Sequence, residues 1–376
     1  MTQTRAGDAA FVETTAAGDL PRFEAEWRDL MDRCAEPNVF ADADFLLPAL
    51  ARLAPRRAAT ILVWSDAGRR RLIGLAAIEP PRSPLGLARI WRSEQAALAA
   101  LLIDRAAPVE ALGAILAWTA ARAVGLRLPA LESGGPVARA LAEVAANGSL
   151  ALEIHARRQR AALPSGPGEE FEAAIDKKRR KEWARQRRRL AEHGRLESSL
   201  LDPVVGVETF LTLEGRGWKG ARRTALALNA ARAAFARDML ARFAARGALR
   251  IDALTLDGEA IAVGLTLRCR ERGFYWKTAY DERFTDASPG LLLTLDLSRR
   301  LEREPGLRLV DSCAAPNHPM IDRLWRGRLE LADFAIAVRP EAAGRFALAL
   351  RAAKLAEYFR ERLKRAANRL LRRKAS

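Results

Sequence analysis

The chain has 376 residues and carries 63 Lys and Arg against 46 Asp and Glu, for a formal net charge of +17. With 49% hydrophobic residues it can bury real cores, and at about 150 residues per domain it should hold two or three domains. There is no run of about 18 uncharged apolar residues, which excludes a transmembrane helix.

The three cysteines, Cys34, Cys269 and Cys313, are odd in number and far apart. That pattern fits a reducing cytoplasm better than a disulfide scaffold. The three histidines, at 155, 193 and 318, form no metal-binding spacing, and neither CxxC nor HExxH occurs, so no metal is expected. Charge is uneven: residues 341–376 hold eleven Lys and Arg against three Glu. An excess of this kind favours a solvated surface and attracts anionic substrates or anionic lipid.

Residues 1–20 are polar, lack the basic patch and apolar core of a signal peptide, and read as a disordered lead. Helices are predicted over Phe23–Cys34 and Asp44–Leu53. Thr60–Trp64 and Leu72–Ile78 flank Asp66-Ala67-Gly68 as a β-hairpin. A loop over 80–86 is followed by a helix at Val109–Val124, a strand at Leu126–Leu131, a helix at Pro136–Ala146 and a strand at Ala151–His155. Ala161–Gly168, with two Pro and two Gly, is the expected boundary between an N-terminal unit of 21–160 and a C-terminal unit of 169–340.

A strongly basic helix opens that second unit, Phe171–His193, with Ile175, Trp183 and Leu190 on one face. Its Lys and Arg residues read as a solvated face or as a wall of a substrate cleft, and nucleic acid is not the expected partner. A strand at Arg195–Leu201 and a helix at Val204–Glu214 lead into Gly215-Arg216-Gly217-Trp218-Lys219-Gly220. This Gly-rich loop lacks Walker A spacing. After a helix at Asn229–Arg246, Leu249–Leu256 meets Asp257-Gly258, a strong hairpin turn signal, and strands continue through Glu259–Arg268 and Phe274–Tyr280.

The stretch Tyr275–Asp311 organises the rest. Tyr275–Tyr280 reads as a strand and Asp281–Ala287 as a loop. Ser288-Pro289-Gly290 opens a helix with Leu291, Leu292, Leu295 and Leu301 as its apolar stripe. Leu307–Asp311 is the next strand. Backbone N–H groups at the helix start, around Ser288, Pro289, Gly290 and Leu291, can cradle a phosphate. A loop follows Asp311 and contains Cys313 and His318, a pairing that could serve as nucleophile and base. A short helix at Ile321–Trp325, a strand at Leu329–Val338 and a final helix at Arg345–Arg373 complete the chain. Leu348, Ala352, Leu355, Phe359, Leu363, Ala366 and Leu370 make the last helix amphipathic. That stripe is expected to meet the body of the protein, a membrane surface or a protein partner.

The wording from Tyr280 to Leu293, YDERFTDASPGLLL, with an Asp closing the next strand, resembles the acyl-CoA-binding core of the GNAT acetyltransferase superfamily. Residues Glu214–Leu226 (EGRGWKG…TAL) and the order of three antiparallel strands, helix and strand add to it. Over about residues 165–340 the chain is similar to the two-lobed cellulose-biosynthesis (CelD-type) acetyltransferases, relatives of the Fem-type aminoacyl transferases. The resemblance implies an α/β fold of two GNAT-like lobes with mixed, mainly antiparallel sheets. It implies acetyl transfer from acetyl-CoA, without a metal, to a small-molecule or saccharide acceptor, in the cytoplasm or at the inner face of the membrane. Cell-envelope polysaccharide synthesis is the implied setting.

On this resemblance, backbone N–H groups along Lys277, Thr278, Ala279 and Tyr280 face the thioester carbonyl. Tyr280, Asp311 or Asp281 could move protons, with Tyr280 and Asp311 the leading candidates, and Trp218 and Lys219 are the acceptor contacts. The usual GNAT phosphate loop, Arg/Gln-x-x-Gly-x-Gly/Ala, is absent, and Asp281, Glu282 and Asp286 stand beside the cradle. Aminoacyl-tRNA as donor, and a catalytically inactive GNAT-fold binding protein, are therefore the alternatives.

Overall fold

The computed structural model describes residues 10–168, 171–217, 220 and 224–373, with backbone only at 174, 361 and 364–373. The first half comprises β1 (Phe11–Thr15), α1 (Glu24–Asp32), α2 (Ala43–Arg52), β2 (Ala59–Trp64) and β3 (Leu72–Glu79). It continues with β4 (Leu87–Ile90), β5 (Leu101–Ile103), α3 (Pro108–Ala120), β6 (Gly125–Glu132), α4 (Pro136–Asn147) and β7 (Leu152–Pro164). The second half starts with α5 (Lys177–Ala191), β8 (Leu196–Leu200), α6 (Pro203–Arg216) and α7 (Ala230–Ala245). Then come β9 (Leu249–Leu256), β10 (Glu259–Cys269), β11 (Arg272–Tyr280), α8 (Pro289–Glu302) and β12 (Leu309–Asp311). A short α9 (Ile321–Leu324), β13 (Gly327–Ala337) and α10 (Ala343–Arg373) end the chain.

Local chemistry explains many of the starts. Asp42, Asp176, Asp202 and Asn229 each accept a hydrogen bond from an amide two or three residues on, at 2.9–3.0 Å, which caps α2, α5, α6 and α7. The turn between β9 and β10 places Asp257 at φ 51° and Gly258 at φ 82°, the backbone that a two-residue hairpin with right-handed strand twist requires. Three expectations shift. Residues 11–15, read as disordered lead, pair antiparallel with β2 from Phe11↔Trp64 to Thr15↔Thr60. The basic helix starts at Lys177, because Asp176 caps it there. The short strands β4 and β5 lie within residues 87–108, where the sequence reading assigns no element.

Among the described residues the strands form one sheet, in the order β1-β2-β3-β4-β6-β13-β7-β12-β11-β10-β9-β8, with β5 beside β3. The two halves exchange their last strands. β13 lies between β6 and β7, pairing Phe334 with Leu128 on one side and with Ile154 on the other. β7 in turn lies between β13 and β12, and Ala162 pairs with Asp311. The segment expected to begin as a linker at Ala161 is therefore strand up to Pro164.

An aromatic seam joins the halves below the sheet. Phe40 stacks edge-on against Phe45 and Phe274, and Phe45 against Phe235, with centroids 5.1–5.6 Å apart. Over it, Arg246 on α7 donates to the buried Asp42 and Asp44 of α2 at 2.6 and 2.9 Å. α2 is thus packed against α7.

The tail docks through a different face from the one its longest apolar stripe predicts. Phe346 and Leu350 are buried against Ala335 and Ala337 of β13, whereas Leu348, Leu355, Phe359 and Leu363 are exposed. The side chains of Ala366 and Leu370 lie outside the described residues.

Candidate active site

β11 and β12 run parallel, and their register covers three pairs, Arg272↔Leu309, Gly273↔Val310 and Phe274↔Asp311. The reason for the parting lies two residues further. On the β10 side Tyr275 faces Thr266 and Lys277 faces Leu265, so Trp276 is an extra residue, a β-bulge. A bulge bends its strand and re-aims the side chains around it. Trp276 is buried, and its indole N–H donates to the Gln95 carbonyl of the first half at 2.8 Å. Beyond it, among the described residues, β11 has no strand neighbour on the β12 side.

The parted strands open a cavity of about 700 Å³. Lys277, Thr278, Tyr280, Ser288, Gly290 and Leu291, all read from the sequence as donor-site or proton-transfer residues, line it together. Ala279 and Pro289 are buried beside it but do not line it. Trp218 and Lys219 lie outside the described residues. Sequence reasoning did not single out Trp276; it read α5 as a solvated face or a wall of a substrate cleft, and α5 contributes Arg179, Trp183 and Gln186 to the opposite wall. The charge run of α5 was the available signal for that wall.

The helix start differs in detail from a simple capped end. Ser288 sits at the N-cap of α8 in the left-handed region, φ 51° and ψ 56°, and its side chain caps nothing. Such a conformation is uncommon for a residue with a Cβ and costs on the order of 1 kcal/mol or more. Leu291 and Leu292 both donate to the Ser288 carbonyl, at 3.0 and 3.2 Å. Pro289 has no N–H, so Gly290 keeps the first-turn amide that no backbone carbonyl takes up among the described residues. The helix start therefore offers the Gly290 amide together with the positive end of the helix dipole.

The lining carries Arg179, Lys277 and Arg323 against Glu182. The acidic loop beside it is less repulsive than its composition implies. Hydrogen bonding from Arg283, at 2.6 Å, holds the Asp281 carboxyl below its ordinary range and balances its charge.

Asp311 does not reach the cavity. It is fully buried, its carboxylate accepts from Arg160 Nη2, and its other oxygen accepts from the Cys313 amide at 2.9 Å. That makes it a clamp between β12 and β7. Cys313 and His318 do line the cavity. Burial, with Asp311 adding to it, pushes the Cys313 thiol well above its usual range. Burial also lowers the His318 pKa, and its Nδ1 accepts from the Ile321 amide at 3.4 Å. A thiolate nucleophile is disfavoured on both counts. Burial raises the Tyr275 pKa, and its hydroxyl meets Thr294 at 3.2 Å. Tyr275 and Tyr280 both line the cavity, and Tyr280 is the more exposed of the two.

A strand bulged and parted from its parallel neighbour, with a helix start at the gap, is the architecture of the GNAT class of acyltransferase folds. Residues 177–318 match the family described as "Acetyltransferase (GNAT) domain". Among solved structures, FemX is similar at 14% identity and a TM-score of 0.55, over 86% of this chain and 96% of that one. The C-terminal domain (DUF2156) of a putative lysylphosphatidylglycerol synthetase from Agrobacterium fabrum is similar at 13% identity and a TM-score of 0.52. It is covered over 96% of its length, and this chain over 89%. No curated protein matches by sequence. The two structures share the fold over most of this chain; the family match covers residues 177–318.

Proposed function

We propose that this protein transfers an acyl group, acetyl from acetyl-CoA, to an amine or hydroxyl of a sugar-containing or acidic acceptor in polysaccharide or cell-envelope synthesis. The observation that carries the reading is the opening of β11 from β12 over a cavity that ends at the start of α8. An extended pantetheine arm can pair with the free strand edge, and its pyrophosphate can meet Gly290 N–H and the helix dipole.

The acceptor nitrogen or oxygen attacks the thioester carbonyl carbon, the C–S bond breaks, and CoA leaves as its thiol. Charge that develops on the carbonyl oxygen is stabilised by backbone N–H groups of the freed strand from Lys277 onward, a term worth about 3 kcal/mol. The Tyr280 hydroxyl donates a proton to the departing sulfur and recovers one from the acceptor. Trp218 and Lys219 are the proposed acceptor contacts.

Calorimetry with acetyl-CoA tests the donor, and Tyr280→Phe tests the proton carrier. Wild type and variant should bind the donor within about twofold of each other, while kcat falls by about 10²–10⁴ in the variant. A folded chain that binds no CoA would end the donor assignment; aminoacyl-tRNA bound in its place would move the protein to aminoacyl transfer.

A further inference from the structure

Helix α10 has two apolar faces, and the structure uses one of them. Phe346 and Leu350 are buried on the sheet. Phe346 sits over Gly125, where any Cβ would collide with its ring. Further along, Lys354 pairs with Glu153, and Glu357 with Arg127 at 2.7 Å. Positions 346, 350, 354 and 357 share one side of a helix. Together they hold its rotation.

Leu348, Leu355, Phe359 and Leu363 lie about half a turn away from that side at 3.6 residues per turn. They are 59–71% exposed. The helix cannot roll them inward without losing Phe346, Leu350 and both ion pairs. A contiguous exposed stripe of this kind marks a contact surface.

We propose that this stripe seats α10 on an anionic membrane surface, with the body of the protein held on the cytoplasmic side. Charge selects the occupant. Residues 343–373 contain ten Lys and Arg and two Glu. Arg345, Arg351, Arg360 and Arg362 flank the stripe, where their stems can lie along apolar surface while their guanidinium groups reach phosphate. A second copy is disfavoured, since two such helices face to face would bring two large positive charges together. The helix lies on the surface: none of the described helices is long and apolar enough to cross a membrane.

The test is co-sedimentation of the full chain with vesicles of phosphatidylcholine alone and with an equal part of phosphatidylglycerol. Binding is expected only to the mixed vesicles, and raising the salt to about 0.5 M should weaken it. Leu355→Asp with Phe359→Asp should reduce it at least tenfold while thermal unfolding stays unchanged, because both side chains are exposed. Arg360→Glu with Arg362→Glu should do the same and tests charge alone. No binding to anionic vesicles, or equal binding by the Leu355→Asp/Phe359→Asp variant, would overturn the proposal. So would light scattering that shows a wild-type dimer turned to monomer by that variant, since the stripe would then join two copies.

Discussion

Gly290 packs against the ring of Tyr280. A Cβ built on Gly290 would stand 3.2 Å from Tyr280 Cδ1. The glycine that leaves an amide at the start of α8 therefore also sets the position of the candidate acid. Gly290 is buried, so its role is close approach rather than an open surface.

Gly290→Ala separates site geometry from stability. Alanine is the better helix former by about 1 kcal/mol, which offsets part of the crowding. The added methyl must displace the Tyr280 ring by a few tenths of an ångström. Unfolding free energy should stay within about 1 kcal/mol of wild type, while kcat falls by about tenfold or more through misplacement of the acid. Full activity in a variant with normal donor affinity would detach Tyr280 from the chemistry.

Asp311→Asn addresses the clamp. Removal of one charge leaves Arg160, 5% exposed, without its counter-ion. Breaking a buried pair in this way costs about 3–5 kcal/mol. Urea unfolding should show a loss of that order, and Arg160→Met added to Asp311→Asn should restore a good part of it. A stable Asp311→Asn protein with kcat reduced about a hundredfold would instead return Asp311 to the catalytic group.

Glu36 gives the stability a pH dependence of unusual sign. Burial, with Glu132 nearby, raises its pKa from 4.5 to about 7, and its carboxyl accepts from the Val137 amide at 2.9 Å. Between those two values the folded chain holds a proton that the unfolded chain has released. Stability from this group is therefore complete below pH 4.5 and lost as pH rises toward 7 and beyond. Glu36→Gln keeps the acceptor without the ionisation. It should stabilise the protein by about 1–3 kcal/mol at pH 8 and change little near pH 4.5. An equal difference between variant and wild type at both pH values in urea titrations would rule out the linkage.

The candidate site was legible where its parts are adjacent in sequence. Tyr280, Ser288 and Gly290 belong to one strand–loop–helix passage, and turn and capping chemistry within about ten residues suffices to place them. The bulge at Trp276 was not legible, because it is defined by the register of β10, a separate strand. Asp311 looked available for proton transfer because it ends a strand. Arg160, 151 positions earlier, takes that role away.

The tail shows the same division. Its stripe from Leu348 to Leu363 left the body, a membrane surface or a partner open as its contact; Gly125 on β6 and the ion pairs to Glu153 and Arg127 turn a different face, that of Phe346 and Leu350, to the sheet.

The sequence by itself determined most of the elements, the hairpin at Asp257-Gly258, the position of the helix start at Ser288-Pro289-Gly290 and the basic character of α5 and α10. These follow from side-chain spacing, caps and turn residues, all local along the chain. Only the tertiary structure decided that β7 and β13 change places between the halves, that Trp276 bulges and frees the strand edge, and which face of α10 stays open. Strand partners and burial are properties of residues distant in sequence, and their free energy appears only when the chain brings them together.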